Sequence, residues 1–129
     1  MPRLTLYFPE TFADGVWAGL SYQLEVPGSL QNRSGEWLLG RHPGSDLTLN
    51  HRSISRRHAA ISYSYAADGW SIQDLGSTQG TRVGQTLLEP GDWHPIKIGD
   101  RLWLGGNQIN VVEDEEDTVP PDEVGPPTE

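Results

Sequence analysis

Gly40-Arg41, then Ser53-Ile54-Ser55-Arg56-Arg57-His58, then Asp74-Leu75-Gly76-Ser77-Thr78-Gln79-Gly80-Thr81: these three clusters decide how the chain is read. They combine small, hydroxylated and basic residues, and they fall between short runs with the character of strands. Gathered at one end of a β-sandwich, they would form an anion site of guanidinium, hydroxyl and backbone amide donors. Those are the groups a phosphate needs.

The flanking sequence supports an all-β frame. Leu4-Thr5-Leu6-Tyr7-Phe8 and Tyr22-Gln23-Leu24-Glu25-Val26 alternate at period two, as half-buried strands do. Helical periodicity is not sustained over more than about ten residues anywhere in the chain. β-branched and aromatic runs predict strands near 3–8, 20–26, 36–40, 46–49, 57–63, 69–74, 81–83, 94–97, 101–104 and 108–112. Pro43-Gly44-Ser45-Asp46, Asp68-Gly69, Pro90-Gly91-Asp92, Gly99-Asp100 and Gly105-Gly106-Asn107 read as turns between them, and 9–19 and 27–35 as longer loops. This spacing fits a two-sheet sandwich.

The 129 residues suit one domain with its own core. There is no cysteine, which excludes a disulfide framework and thiol chemistry. No apolar run approaches a bilayer span. The stretch Met1 to Glu10 lacks the pattern of a secretory leader, so a cytoplasmic protein is expected. The net charge of −9 is unevenly spread. Of the 18 acids, eight lie in residues 113–129, which hold no base, leaving ten against all nine Lys and Arg. Residues 1–112 are thus near neutral, with Arg41, Arg52, Arg56 and Arg57 forming a local basic patch. A general nucleic-acid binder would need a broad basic face. Residues 113–129 carry four prolines and almost no large apolar side chain, and are expected to be a disordered tail.

The motifs resemble those of the forkhead-associated (FHA) domain. The likeness runs through Leu38-Leu39-Gly40-Arg41, Ser45-Asp46-Leu47, Ser53 to Ala59, Asp74 to Val83 and Ile98-Gly99-Asp100-Arg101-Leu102-Trp103-Leu104-Gly105, about residues 36–112. It implies an eleven-stranded β-sandwich over residues 1–112, whose end loops bind phosphothreonine in an extended peptide. It also implies a non-catalytic interaction module tied to Ser/Thr kinase signalling, needing no cofactor.

Carried over residue by residue, the resemblance assigns Arg41, Ser55, Arg56, Thr78 and Gln79 to the phosphopeptide, and Gly40, His58 and Gly80 to support of the binding loops. The Arg41 guanidinium is always charged and forms a planar fork matched to phosphate. Ser55 and Arg56 would add a hydroxyl, an amide and a charge. His58 is expected buried and hydrogen-bonded, bracing the loops. The family usually has asparagine where this chain has Gln79. Glutamine keeps the donors and acceptor but moves them outward by a methylene, which alters how it would clamp a peptide backbone.

Competing chemistry is weaker. A Ser55–His58 nucleophile with Asp74 as orienter is set aside, because residues three apart on an extended strand face opposite ways and no nucleophile elbow is present. Residues 76–80 lack the Lys-Ser/Thr ending of a nucleotide loop. His42, His51, His58 and His94 show no paired metal spacing. Trp70 and Trp103 are expected in the core, with Trp17 and Trp93 open as surface anchors. Thr118, set among acids, would become a phosphate-bearing ligand if phosphorylated, so the chain's own tail is one candidate partner beside a phosphothreonine protein. The alternative function is a degenerate FHA-like scaffold that binds a protein partner without phosphate.

Overall fold

A computed structural model describes residues 3–13, 15–25, 35–64 and 69–112. The disordered-tail expectation, Thr118, nearly all of the 27–35 loop and Asp68 of the Asp68-Gly69 turn lie outside them. The described residues form eleven strands: β1 (Arg3–Tyr7), β2 (Ser21–Glu25), β3 (Gly35–Gly40), β4 (Leu47–Thr48), β5 (Ala59–Ser64), β6 (Gly69–Asp74), β7 (Thr81–Val83), β8 (Thr86–Leu87), β9 (His94–Ile96), β10 (Arg101–Leu104) and β11 (Asn107–Val112). They build a six-stranded sheet, β2-β1-β11-β10-β7-β8, and a five-stranded sheet, β4-β3-β5-β6-β9. Among the described residues no helix is long and apolar enough to cross a membrane.

Period-two alternation explains the layering. On β11, Asn107, Ile109 and Val111 are buried, and the residues between them are half-exposed. Leu4, Leu6, Leu24, Leu102, Leu104 and Ile109 from one sheet meet Leu39, Ala59, Ile61 and Ile72 from the other. Burying a side chain of this size contributes about 1.5–3 kcal/mol.

Three features depart from the sequence reading. The eleventh strand, β8, is absent from the pattern-based set because it is only two residues long. It follows a two-residue reversal in which Gly84 takes φ 59° and Val83 pairs with Thr86. β5 starts at Ala59 instead of residue 57, since the chain bends through 56–57, where the Arg56 carbonyl accepts the His42 amide at 3.2 Å. The turn at 43–46 does not make a simple hairpin: β4 runs parallel to β3, with Leu39 beside Leu47. Asp46 Oδ2 accepts the Leu38 amide at 2.7 Å and so fixes the returning chain to β3.

The tryptophans also sort differently. Trp103 lies between inward-facing Leu102 and Leu104, so it points out of the sheet, half-buried under the Arg82 guanidinium. Trp70 is half-buried at the sandwich margin with Trp37 and Tyr63. Trp17 is no surface anchor: it packs on Phe8 and donates Nε1–H to the Thr48 carbonyl at 2.8 Å. Trp93 is 43% exposed.

Candidate functional site

Four connections meet at one end of the sandwich: β3–β4, β4–β5, β6–β7 and the β10–β11 turn. Gly40 makes the first contact possible. A Cβ there would lie 2.0 Å from the Arg56 carbonyl oxygen, so only glycine permits the end of β3 to run against residues 55–56. The backbones are then tied by Arg41 N–H to the Ser55 carbonyl at 3.0 Å and by the His42–Arg56 bond. Arg41 also donates Nε–H to the Ile54 carbonyl at 3.1 Å. That bond anchors one edge of the guanidinium and leaves the two terminal nitrogens, which are the prongs suited to an oxyanion.

His58 joins the second and third connections. Its side chain is fully buried. Nδ1 accepts the Ser55 amide at 3.0 Å, which places the ring proton on Nε2, and Nε2 donates to the Gly80 carbonyl at 2.9 Å. Burial pushes the ring's pKa below the ordinary histidine value, outweighing the upward pull of the Gly80 carbonyl and the Asp74 charge. Residues 55–58 are not extended, so the strand geometry used to set aside a Ser55–His58 pair does not hold. The pairing that forms is through the Ser55 backbone. The Ser55 hydroxyl oxygen instead accepts the Thr78 amide at 3.0 Å, bridging two loops and leaving its own proton available as a donor.

Asp74 organises the β6–β7 loop. Its carboxylate accepts the Gly76 amide at 2.9 Å, the Ser77 amide at 3.0 Å, the Thr81 hydroxyl at 2.6 Å and the Ser77 hydroxyl. Burial alone would raise its pKa. The hydroxyl bonds from Ser77 and Thr81 and the amide bonds from Ser77 and Gly76 win, holding it below the usual carboxylate value. The Ser77 hydroxyl oxygen in turn accepts the Gly80 amide at 2.9 Å. Gly76 and Gly80 take φ of 82° and 89°, the left-handed turns that place Thr78 and Gln79 at an exposed tip.

The β10–β11 turn closes the assembly. Gly105 N–H donates to the same Gly80 carbonyl at 2.9 Å, and a Cβ on Gly105 would lie 2.6 Å from the Ser53 carbonyl oxygen. Asn107 Nδ2 donates to the Ser53 hydroxyl at 2.7 Å, and that hydroxyl bonds His51 Nδ1 at 2.7 Å.

The result is an open mouth of about 390 Å³ lined by Arg41, His42, Pro43, Asn50 and Arg56. Ser55 and Thr78 adjoin it through the bonds above. Arg52 and Arg57 are exposed on the same β4–β5 connection as Arg56. Among the described residues no carboxylate pairs with the guanidinium of Arg41 or Arg56, and no cluster of three or more metal-ligating side chains occurs. The mouth is therefore a cationic, donor-rich surface. Sequence reasoning missed Asp74, Ser77 and Thr81 as loop organisers, although an Asp two residues before Gly and three before Ser is the signature of a side-chain-capped turn. It also missed the Ser53–Gly105–Asn107 contact, for which no local signal exists.

A family model of the FHA domain matches residues 37–105. The human nuclear inhibitor of protein phosphatase 1 is 38% identical over 72 residues, which is 55% of this chain and 20% of that protein. The chain spans 5% to 20% of the length of the curated relatives from Caenorhabditis elegans, Arabidopsis thaliana and human that it matches. Among solved structures, the FHA domain of a Chlamydia trachomatis protein superposes with TM-score 0.69 at 24% identity, covering 88% of this chain and 99% of that one. An FHA domain solved in a study of phosphothreonine-dependent FHA domain interactions gives TM-score 0.64 at 27% identity, covering 88% and 98%. With the matched residues spanning more than half its length, and with an eleven-stranded sandwich presenting the motif loops at one end, the chain belongs to the FHA domain family.

Proposed function

We propose that the chain is a phosphothreonine-peptide reader acting as a signalling adaptor in the cytoplasm, and that its partners are proteins phosphorylated by Ser/Thr kinases. The observation that carries this reading is the cationic mouth itself. Arg41 and Arg56 face it without a carboxylate partner among the described residues, next to the Ser55 hydroxyl proton and the exposed Thr78 hydroxyl. A phosphate dianion supplies the missing charge and acceptors, and each charge-assisted bond contributes about 1.5–3 kcal/mol. The relation to an FHA domain studied for phosphothreonine-dependent interactions points the same way. Gly40, His58 and Gly80 serve as support: they hold the donors and do not contact the ligand.

Gln79 favours a second reading, a scaffold that binds a protein partner without phosphate, because the exposed glutamine departs from the family's usual asparagine at the loop tip. Anisotropy titration with degenerate phosphothreonine, phosphoserine and unphosphorylated peptide libraries separates the two. Saturable binding to phosphothreonine alone, lost in Arg41→Ala, supports the reader. Failure of every library to bind leaves the scaffold.

A further inference from the structure

β11 starts beside the mouth and ends away from it. Asn107 follows the turn whose Gly105 amide reaches the Gly80 carbonyl, whereas Val112 pairs with Thr5, and Val111 accepts the Gly99 amide at 2.8 Å. A strand of this length carries Val112 about 17 Å from Asn107, at about 3.4 Å per residue. Arg41 and Arg56 belong to connections of the facing sheet, a further displacement of about 10 Å across the sandwich. Thr118 lies six residues past Val112. Six residues fully stretched span at most about 20–22 Å. The straight line back to the mouth already uses that length. β11 itself runs away from the mouth, so any return path is longer than that straight line.

The segment nevertheless has the chemistry of a ligand for this mouth. Asp114, Glu115, Glu116 and Asp117 precede Thr118, against the exposed Arg41, Arg52, Arg56 and Arg57. Pro120 biases the preceding residue toward extended backbone, the form a groove-bound peptide takes. Building on the phosphothreonine reading, we propose that Thr118, once phosphorylated, binds the mouth of a second copy of this chain and not its own. A Ser/Thr kinase supplies the group from ATP. The Thr118 Oγ1–phosphorus bond forms, the γ-phosphoryl's bond to the ADP oxygen breaks, and the hydroxyl proton passes to the kinase's base. When two phosphorylated copies meet, the first contact makes the second intramolecular, at an effective concentration of order millimolar. Reciprocal exchange of the two segments therefore favours a closed dimer over an open chain.

The test uses the full chain made by semisynthesis with phosphothreonine at position 118, followed by sedimentation velocity over rising concentration. The expected result is the mass of two chains with the phosphate, of one chain without it, and reversal by phosphatase or by Arg41→Ala. Inserting about ten Gly and Ser residues between Val112 and Glu113 lets the phosphate reach its own mouth and returns the mass to one chain. An unchanged dimer after that insertion overturns the reach argument. A phosphorylated peptide of residues 113–123 and a degenerate phosphothreonine library are titrated in parallel. A single-chain mass with the mouth blocked to added peptide means cis binding and overturns the proposal. Binding of the library but not of this peptide overturns the choice of Thr118 and leaves the reader function standing. No binding of any phosphothreonine probe overturns both.

Discussion

His58 Nε2 donates to the Gly80 carbonyl across 2.9 Å, joining two connections that are separated by the whole of β5 and β6. The ring is buried, and its other nitrogen is already engaged by the Ser55 amide. A residue that would read as a catalytic base in another context is here a fixed strut.

His58→Ala should therefore destabilise the fold by about 2–4 kcal/mol, through a buried cavity and an orphaned Ser55 amide, while the Gly80 carbonyl keeps its bond from the Gly105 amide. Urea unfolding followed by tryptophan fluorescence gives the value. A loss under about 0.5 kcal/mol would show that water or repacking replaces the strut.

Acid should weaken the domain in two stages. The His58 ring has a pKa lowered below its ordinary value of 6.5 in the folded state, so the unfolded chain binds the proton more readily. Its contribution is complete above about pH 6.5 and falls as the pH drops below that. Asp74 is lowered below 3.8, so its contribution is present above about pH 3.8 and is lost at more acid pH. Thermal midpoints across pH 3–8 should decline in that order, and His58→Gln should remove the upper stage. A midpoint that rose between pH 7 and 5 would contradict the assignment.

Gly40→Ala should cost about 1–3 kcal/mol and should also lower phosphopeptide affinity, because the added carbon meets the Arg56 carbonyl and pushes apart the two segments that carry Arg41 and Ser55. Calorimetric unfolding and peptide anisotropy on the same sample read both effects. Unchanged affinity in a destabilised protein would separate the close approach from the site.

Arg41→Lys should lose about tenfold or more in phosphopeptide affinity, since a point charge cannot both hold the Ile54 carbonyl and present a fork. The side chain is exposed, so stability should stay within about 0.5 kcal/mol. Equal affinity in the lysine variant would mean that only net charge matters.

Gln79→Asn should raise affinity by about twofold to tenfold, the worth of one recovered hydrogen bond, with stability unchanged at this exposed tip. A fall in affinity would show that the glutamine length suits this chain's own ligand.

The sandwich was legible because Leu4, Leu6, Leu24 and the alternating β11 residues write their burial at period two. The clusters around Arg41, Ser55 and Thr78 were legible through their residue types, and the structure brings all three to one end. Less could be read where the deciding contact is remote in sequence. Nothing around Gly105 announces that it abuts the Ser53 carbonyl, and the Asn107 amide meets Ser53 from 54 positions away. Trp103 misled for a different reason: size suggested the core, while its place between Leu102 and Leu104 dictated the outer face. The parallel β3–β4 pair was hidden because turn chemistry marks where a chain bends, not the direction in which it returns.

The bond from the Thr78 amide to the Ser55 hydroxyl, with the His58 strut beneath it, has a thermodynamic corollary. Loops already latched to one another have little freedom left to surrender when a ligand arrives. Association should then proceed nearly as a rigid-body event, with small ordering entropy and fast capture steered by the arginines. Selectivity among peptides would rest on what fits a fixed contour, since such a rim adapts poorly to a shape it was not built for.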